Sequence, residues 1–350
     1  MVSEQYFNVG PTVYGGRGCF AVKPIQSGTV IHTARTPFTW TIFRDFRKEV
    51  CAYCFDYDLG RQWKVKIPAA GVWFCNEDCR QKWVQQEDHD GELVKVFEKI
   101  ESTVSMARRK LQNQHRQVQE GEDEDFVPDD FEVSNEDVEE LWQEMDRRAC
   151  DLGLGQRLRV QALEDLEYDI ARLVAAAVVR QANSGADQQQ QEENDEFSWD
   201  KFALLESHEL DLIKRMPALL EAHVRVFLFL KLVMTDRKYK PFVTTATVRS
   251  VVGKEAANAF GIWQLPLTME SECLGSAVYP SGSYFNHSCE PGVRKERVGR
   301  EMRFITTRDV SAGEELCISY GMMLDMPVHD RRKLLREQWY FECGCARCQA

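Results

Sequence analysis

Tyr279-Pro-Ser-Gly-Ser-Tyr-Phe-Asn-His-Ser-Cys-Glu-Pro-Gly292 is the stretch on which the reading of this chain turns. It is rich in turn formers and sets an amide, an imidazole and a thiol close together at Asn286, His287 and Cys289. Two more blocks follow it, Gly313-Glu-Glu-Leu-Cys-Ile-Ser-Tyr-Gly321 and Cys343-Gly-Cys-Ala-Arg-Cys348. Residue by residue, Asn286-His287 reads as a turn whose side chains cap nearby backbone, and Tyr320 reads as a strand-core aromatic. The last block has the spacing of a metal site, but three thiolates fall one short of the four that a structural zinc takes.

Working outward, the chain of 350 residues is long enough for one large domain with insertions or for two to three modules. Lys and Arg number 44 against 56 Asp and Glu, a formal net charge of -12. Phosphate contacts need clustered cations, so direct nucleic-acid binding is not expected. An acidic chain attracts basic partners instead, such as Lys- and Arg-rich protein segments. Twelve cysteines would suit a disulfide framework, but Cys51-x2-Cys54 and Cys75-x3-Cys79 are zinc spacings. Four thiolates there make a closed tetrahedral site. The polar start, Val2-Ser-Glu-Gln5, shows no signal-peptide core. A reducing, intracellular setting, nucleus or cytoplasm, is therefore expected. The most apolar run, Leu219 to Met234, is broken by Glu221, His223, Arg225 and Lys231, so it reads as a buried helix and no membrane association is expected.

Residues 1–42 alternate short β-rich segments with turns, the most telling being Gly15-Gly-Arg-Gly18, whose glycines let a ligand approach the backbone. The pattern predicts amphipathic helices over 92–119, 134–148 and about 156–181, then helix again over 200–235 with Pro217 opening a new one. An acidic run from Gly121 to Asp137 reads as solvated, and a Gln-rich stretch over about 183–197 reads as a disordered linker. No catalytic triad, phosphate loop or HExxH pair appears.

The three C-terminal blocks, in this order and with the N-terminal Gly turn, resemble a SET domain, the fold of S-adenosylmethionine-dependent protein-lysine methyltransferases. Trp73-Phe-Cys-Asn-Glu-Asp-Cys-Arg-Gln-Lys-Trp83 resembles part of a MYND zinc finger, as in the SET-and-MYND family. The fold class implied is α+β: a β-rich SET fold with an inserted MYND-like finger, an inserted helical region and a cysteine-rich post-SET tail. The division expected is 1–50 and 256–325 for the two SET parts, 51–90 for the finger, 91–255 for the helical insertion and 326–350 for the tail. The finger is degenerate: its second ligand pair is missing, and only His89 stands where the fourth would be, so one zinc is expected there on Cys51, Cys54, Cys75 and Cys79.

The resemblance also implies roles. Gly16, Arg17 and Gly18 lie against the methionine part of S-adenosylmethionine, with Asn286 and His287 at its amino-acid and adenosine ends. Asn258 and Ser283 are further contacts, and Phe341 stacks on adenine. Tyr320 is the catalytic tyrosine, with Tyr284 and Trp339 lining the lysine channel. Cys289 completes a second zinc site with Cys343, Cys345 and Cys348. Relatives more often carry tyrosine at Trp339 and asparagine at Gly292. Larger SET-and-MYND proteins continue into a helical domain beyond the position of Ala350, so a more open groove is expected here, in a monomer. The competing reading is a catalytically silent module that binds partners through its finger.

Overall fold

The computed structural model describes residues 5–14, 16–115, 133–149, 151–184 and 195–349. Most of the acidic run and of the Gln-rich linker lies outside the described residues, as does the side chain of His89. Turns at glycine and proline cut the N-terminal segment into short strands: β1 (Phe7–Pro11) and β2 (Arg17–Ala21) form a hairpin, followed by β3 (Val30–Ala34) and β4 (Thr39–Ile42). The finger supplies β5 (Val65–Ile67), β6 (Val72–Phe74) and α1 (Glu77–Gln86). Asn76 caps α1 by accepting from the Cys79 amide at 2.8 Å, which sets Cys75 and Cys79 on either side of the turn.

The helical insertion holds α2 (Glu92–His115), α3 (Asn135–Arg148), α4 (Leu154–Gln161), α5 (Asp165–Asn183), α6 (Trp199–Ala203), α7 (Glu209–Arg215), α8 (Ala218–Val233) and α9 (Thr245–Asn258). Ser134 and Asp137 form a reciprocal capping box that starts α3. The helix expected over 156–181 is in fact two. Arg108 on α2 reaches across and donates through Nε to the Leu163 carbonyl at 2.9 Å. The amide of Glu164 turns to the Glu167 carboxylate at 2.7 Å, so a new helix begins. Periodicity could not reveal a break enforced by an arginine 55 residues away. The helix expected over 200–235 is likewise divided into α6, α7 and α8, and α8 does begin at Pro217. The Gln-rich linker also ends earlier than expected: the Glu196 carboxylate accepts from the amides of Arg35 and Thr36 at 3.0 and 2.7 Å.

The chain then completes its sheets with β7 (Ala259–Trp263), β8 (Cys273–Val278), β9 (Val293–Val298) and β10 (Glu301–Thr306), and ends in α10 (Val328–Trp339) and α11 (Ala346–Gln349). Two three-stranded antiparallel sheets result, ordered β3-β10-β9 and β4-β8-β7. Each joins strands from both ends of the chain, so the helical insertion leaves and re-enters one β core. Strand β4 is buried on both faces because α5 covers it, and the Thr39 hydroxyl donates to the Leu173 carbonyl of α5 at 2.8 Å.

One buried carboxylate ties finger, helices and sheet together. Glu87, just past α1, has a fully buried side chain and pairs with Arg180 of α5 and with Arg300 of the β9–β10 turn. Burial alone would raise its pKa, but the two guanidinium groups hold it below the ordinary 4.5. Its stabilisation is present above that ordinary value and is lost as pH falls through the lower folded one. Glu87→Gln leaves two buried cations without their counter-charge and is expected to cost about 3–5 kcal/mol, read as a lower midpoint in urea unfolding at neutral pH.

Candidate active site

The segment 286–288 runs parallel to 317–320, joined by Ile318 N–H to the Asn286 carbonyl at 2.8 Å and Ser288 N–H to the Ile318 carbonyl at 2.9 Å. This pairing brings the two blocks of the sequence side by side. A cleft of about 450 Å³ opens over them, lined by Gly16, Arg17, Asn258, Ser283, Tyr284, Asn286, His287, Tyr320, Trp339 and Phe341 among others. Of the residues expected to bind cofactor or to line the lysine channel, only Gly18 is absent from this lining. It stands one position deeper, where an added Cβ would come within 2.5 Å of the Glu315 carboxylate and 2.8 Å of the Asn286 amide nitrogen.

Asn286 donates both amide protons inside the protein, to the Arg17 carbonyl at 3.1 Å and to Glu315 at 2.9 Å. What it can offer a ligand is its carbonyl oxygen, an acceptor for an ammonium group. Gly18→Ala would wedge this pair apart; we expect at least tenfold weaker binding of S-adenosylhomocysteine by calorimetry, with a modest change in stability. Gly16 holds φ +70° and has no atom within 4 Å of where a Cβ would stand, so its bare backbone borders the cleft. The Arg17 guanidinium lies 4.9 Å from the Tyr284 ring centroid.

His287 is spent within the protein. Its Nδ1 accepts from the Tyr320 amide at 3.2 Å, which leaves the proton on Nε2, 3.3 Å from Cys289 Sγ. Burial, then Lys295 and Arg331, push its pKa down to about 4. It therefore presents a ring edge to the cleft and ties Tyr320 to a cysteine cluster. Asn258 is similarly engaged, donating to the carbonyls of Glu206 and Lys254 at 2.9 and 2.8 Å, and the Ser283 hydroxyl donates to the Tyr279 carbonyl at 2.9 Å.

Tyr320 has His287, Trp339 and Phe341 around it, at centroid distances of 5.4, 5.8 and 6.1 Å. Burial, with Cys317 and Glu315 adding to it, pushes its phenol well above the ordinary 10, so it stays protonated. Behind it a narrow annex of about 30 Å³ shares Asn258, Ser283, Tyr320 and Trp339 with the main cleft. Leu205, Glu206 and His208, in the stretch between α6 and α7, also wall the cleft. Sequence reasoning missed these, since the stretch reads only as part of the helix expected over 200–235. Glu315 stands in the block Gly313–Gly321.

Two thiolate groups form among the described residues: Cys51, Cys54, Cys75 and Cys79, and Cys289, Cys343, Cys345 and Cys348, each with its sulfurs within 4.8 Å of one another. Individual separations are 3.7 and 3.5 Å in the first and 3.9 and 3.4 Å in the second. A tetrahedron with Zn–S of about 2.3 Å has edges of about 3.8 Å, so both fit zinc. The cleft fits S-adenosylmethionine by its chemistry: aromatic rings at one end suit an adenine, while Arg17 and the Asn286 carbonyl suit a carboxylate and an ammonium. No helix of the described residues is long and apolar enough to cross a membrane.

Comparison with known proteins agrees with this geometry. The SET domain family matches residues 16–321. "Potential protein lysine methyltransferase SET6" of Saccharomyces cerevisiae is 28% identical over 99% of this chain and 96% of its own length. A "SET and MYND domain-containing protein" of Dictyostelium discoideum is 44% identical over 29% of this chain and 25% of its own. "Histone-lysine N-methyltransferase SMYD3" of Homo sapiens is 45% identical over 23% and 18%. Among solved structures, the SET domain of LSMT bound to lysine and AdoHcy aligns at 14% identity and a TM-score of 0.36, over 98% of this chain and 54% of that one. With a match that runs from strand β2 through the helical insertion and past β10, the chain belongs to the SET domain family.

Proposed function

We propose that the protein is an S-adenosylmethionine-dependent protein-lysine N-methyltransferase. The observation that carries this reading is the position of Tyr320, which lines both the 450 Å³ cleft and the annex behind it. A group at that junction can touch a cofactor on one side and an acceptor amine on the other. The cofactor supplies an electrophilic methyl group; the chain's task is alignment, which in such reactions contributes several kcal/mol. Tyr320 orients the amine through its hydroxyl, Trp339 and Tyr284 wall its approach, and the partial desolvation they impose favours the neutral amine over the ammonium. Arg17, Asn286 and the backbone at Gly16 hold the amino-acid end, Phe341 the adenine, with Gly18, Asn258, Ser283 and His287 shaping the pocket around them. Zinc on the two cysteine groups fixes the finger and the tail.

We read the chain as two SET parts, 1–50 and 256–325, with finger 51–90, helical insertion 91–255 and tail 326–350. The acceptor is a lysine in a basic protein segment, in keeping with the net charge of -12. We also infer a monomer that does not bind nucleic acid directly, and the reduced thiolate groups favour the nucleus or cytoplasm. Calorimetric titration of the zinc-loaded protein with S-adenosylmethionine and S-adenosylhomocysteine tests the pocket. Binding of both is expected; a folded, zinc-loaded protein that binds neither is the silent interaction module instead.

A further inference from the structure

A lysine lines the annex behind Tyr320. Lys295, on β9, donates through Nζ to the Tyr320 carbonyl at 2.9 Å and stands 5.3 Å from the Phe260 ring centroid. Among the described residues no carboxylate pairs with it. The annex offers only uncharged partners besides Tyr320: Asn258, Ser283, Phe260, Phe285 and Trp339. Across the β9–β10 ladder its partner is Phe304. Of the titratable groups around it, Tyr320 stays a neutral phenol, and His287 is a neutral imidazole that Lys295 itself pushes further down. Burial alone, with no anion to offset it, brings the Lys295 pKa down to about 8. An ammonium kept beside an active-site tyrosine without a counter-ion is costly, so a use for its proton is worth seeking.

The arrival of a sulfonium cation supplies one. Two positive charges at one end of the same cleft repel, and the cheaper outcome is that the lysine gives up its proton. We propose that Lys295 is the proton reservoir of the acceptor end: a cation in the free protein, it loses its proton when S-adenosylmethionine binds and regains one from the acceptor amine on methylation. The balance closes. The acceptor ammonium first gives a proton to solvent; its neutral nitrogen then forms its bond to the methyl carbon as the carbon–sulfur bond breaks, and positive charge passes from sulfur to nitrogen. The methylated ammonium then loses a proton to neutral Lys295. One positive charge is present at the acceptor end throughout. This rests on reading the cleft as the cofactor site.

The test needs no protein substrate. The zinc-loaded protein is titrated near pH 7, one unit below the Lys295 value, with S-adenosylmethionine and with S-adenosylhomocysteine, in buffers of different ionisation enthalpy. Binding of the sulfonium is expected to release protons, seen as a buffer-dependent heat, and binding of the neutral thioether is not. Lys295→Met, close in volume and uncharged, is expected to abolish the release and to raise the affinity for the sulfonium relative to the thioether roughly tenfold, the equivalent of one pKa unit. Lys295→Arg, which keeps its charge, is expected to abolish the release while lowering that ratio. Buffer-independent heat for S-adenosylmethionine in the unaltered protein, or proton release that persists in Lys295→Met, would overturn the proposal. The unaltered protein alone decides the first point should the Met variant not fold. Failure of both ligands to bind would instead remove the cofactor reading, and the proposal with it.

Discussion

Tyr320→Phe is expected to reduce methyl transfer by about 10²-fold or more, in the range seen when a single positioned hydrogen-bond donor is removed from an active site. Cofactor affinity should stay within about twofold, because the phenylalanine ring keeps the aromatic contacts to His287, Trp339 and Phe341. Only the hydroxyl goes, and with it the group we propose to orient the amine at the mouth of the annex. Single-turnover transfer measured beside calorimetric binding separates the two effects. Equal transfer by variant and parent would mean that another residue aligns the amine.

Cys289→Ser should do more, and differently. Cys289, Met323, Leu335, Cys343 and Cys348 form a small core of their own, apart from the main one, with Trp339 and Phe341 packed against it. So few apolar residues cannot hold the tail alone, and the metal must supply the difference. The same cysteine is the neighbour of His287 Nε2, and His287 in turn accepts from the Tyr320 amide. Losing the thiolate therefore frees the wall that carries Trp339 and Phe341 and slackens Tyr320 at once. One zinc per chain in place of two, cofactor binding weakened about 100-fold or more, and early proteolysis near residue 325 are expected together. Zinc retained at two per chain with full binding would show that the tail stands without Cys289.

These two residues were legible only through the family resemblance: read alone, Tyr320 is a strand-core aromatic and Cys289 a thiol far from the three-cysteine block it joins. Thiolate pairs in Cys51-x2-Cys54 and Cys75-x3-Cys79 are local, and the structure gathers them as the spacing implied. Apolar periodicity likewise placed a helix over 134–148, within a residue of α3, Asn135–Arg148. What stayed hidden depends on distant partners. Nothing local to 162–164 shows that Arg108 will end a helix there, and nothing in a Gln-rich run shows that Glu196 will receive two amides of β-core residues. Leu205, Glu206 and His208 reach the cleft only because α6 and α7 are held apart. Lys295 is the sharpest case: in the run Val293-Arg-Lys-Glu-Arg-Val298 it looks like a solvated strand charge, and only the crossing of 317–320 places it beside Tyr320. Asn286 and His287 do line the cleft, but the sequence did not show that both spend hydrogen bonds holding the site together.

The most direct measurement is amino-acid analysis of proteins labelled from S-adenosylmethionine carrying a tritiated methyl group, using zinc-loaded enzyme with a basic protein fraction as acceptor. The account predicts label recovered as N-methylated lysine, falling with Tyr320→Phe. Cofactor binding without any label on lysine, across acceptors and with both zincs in place, would contradict it and leave a SET fold that binds but does not transfer.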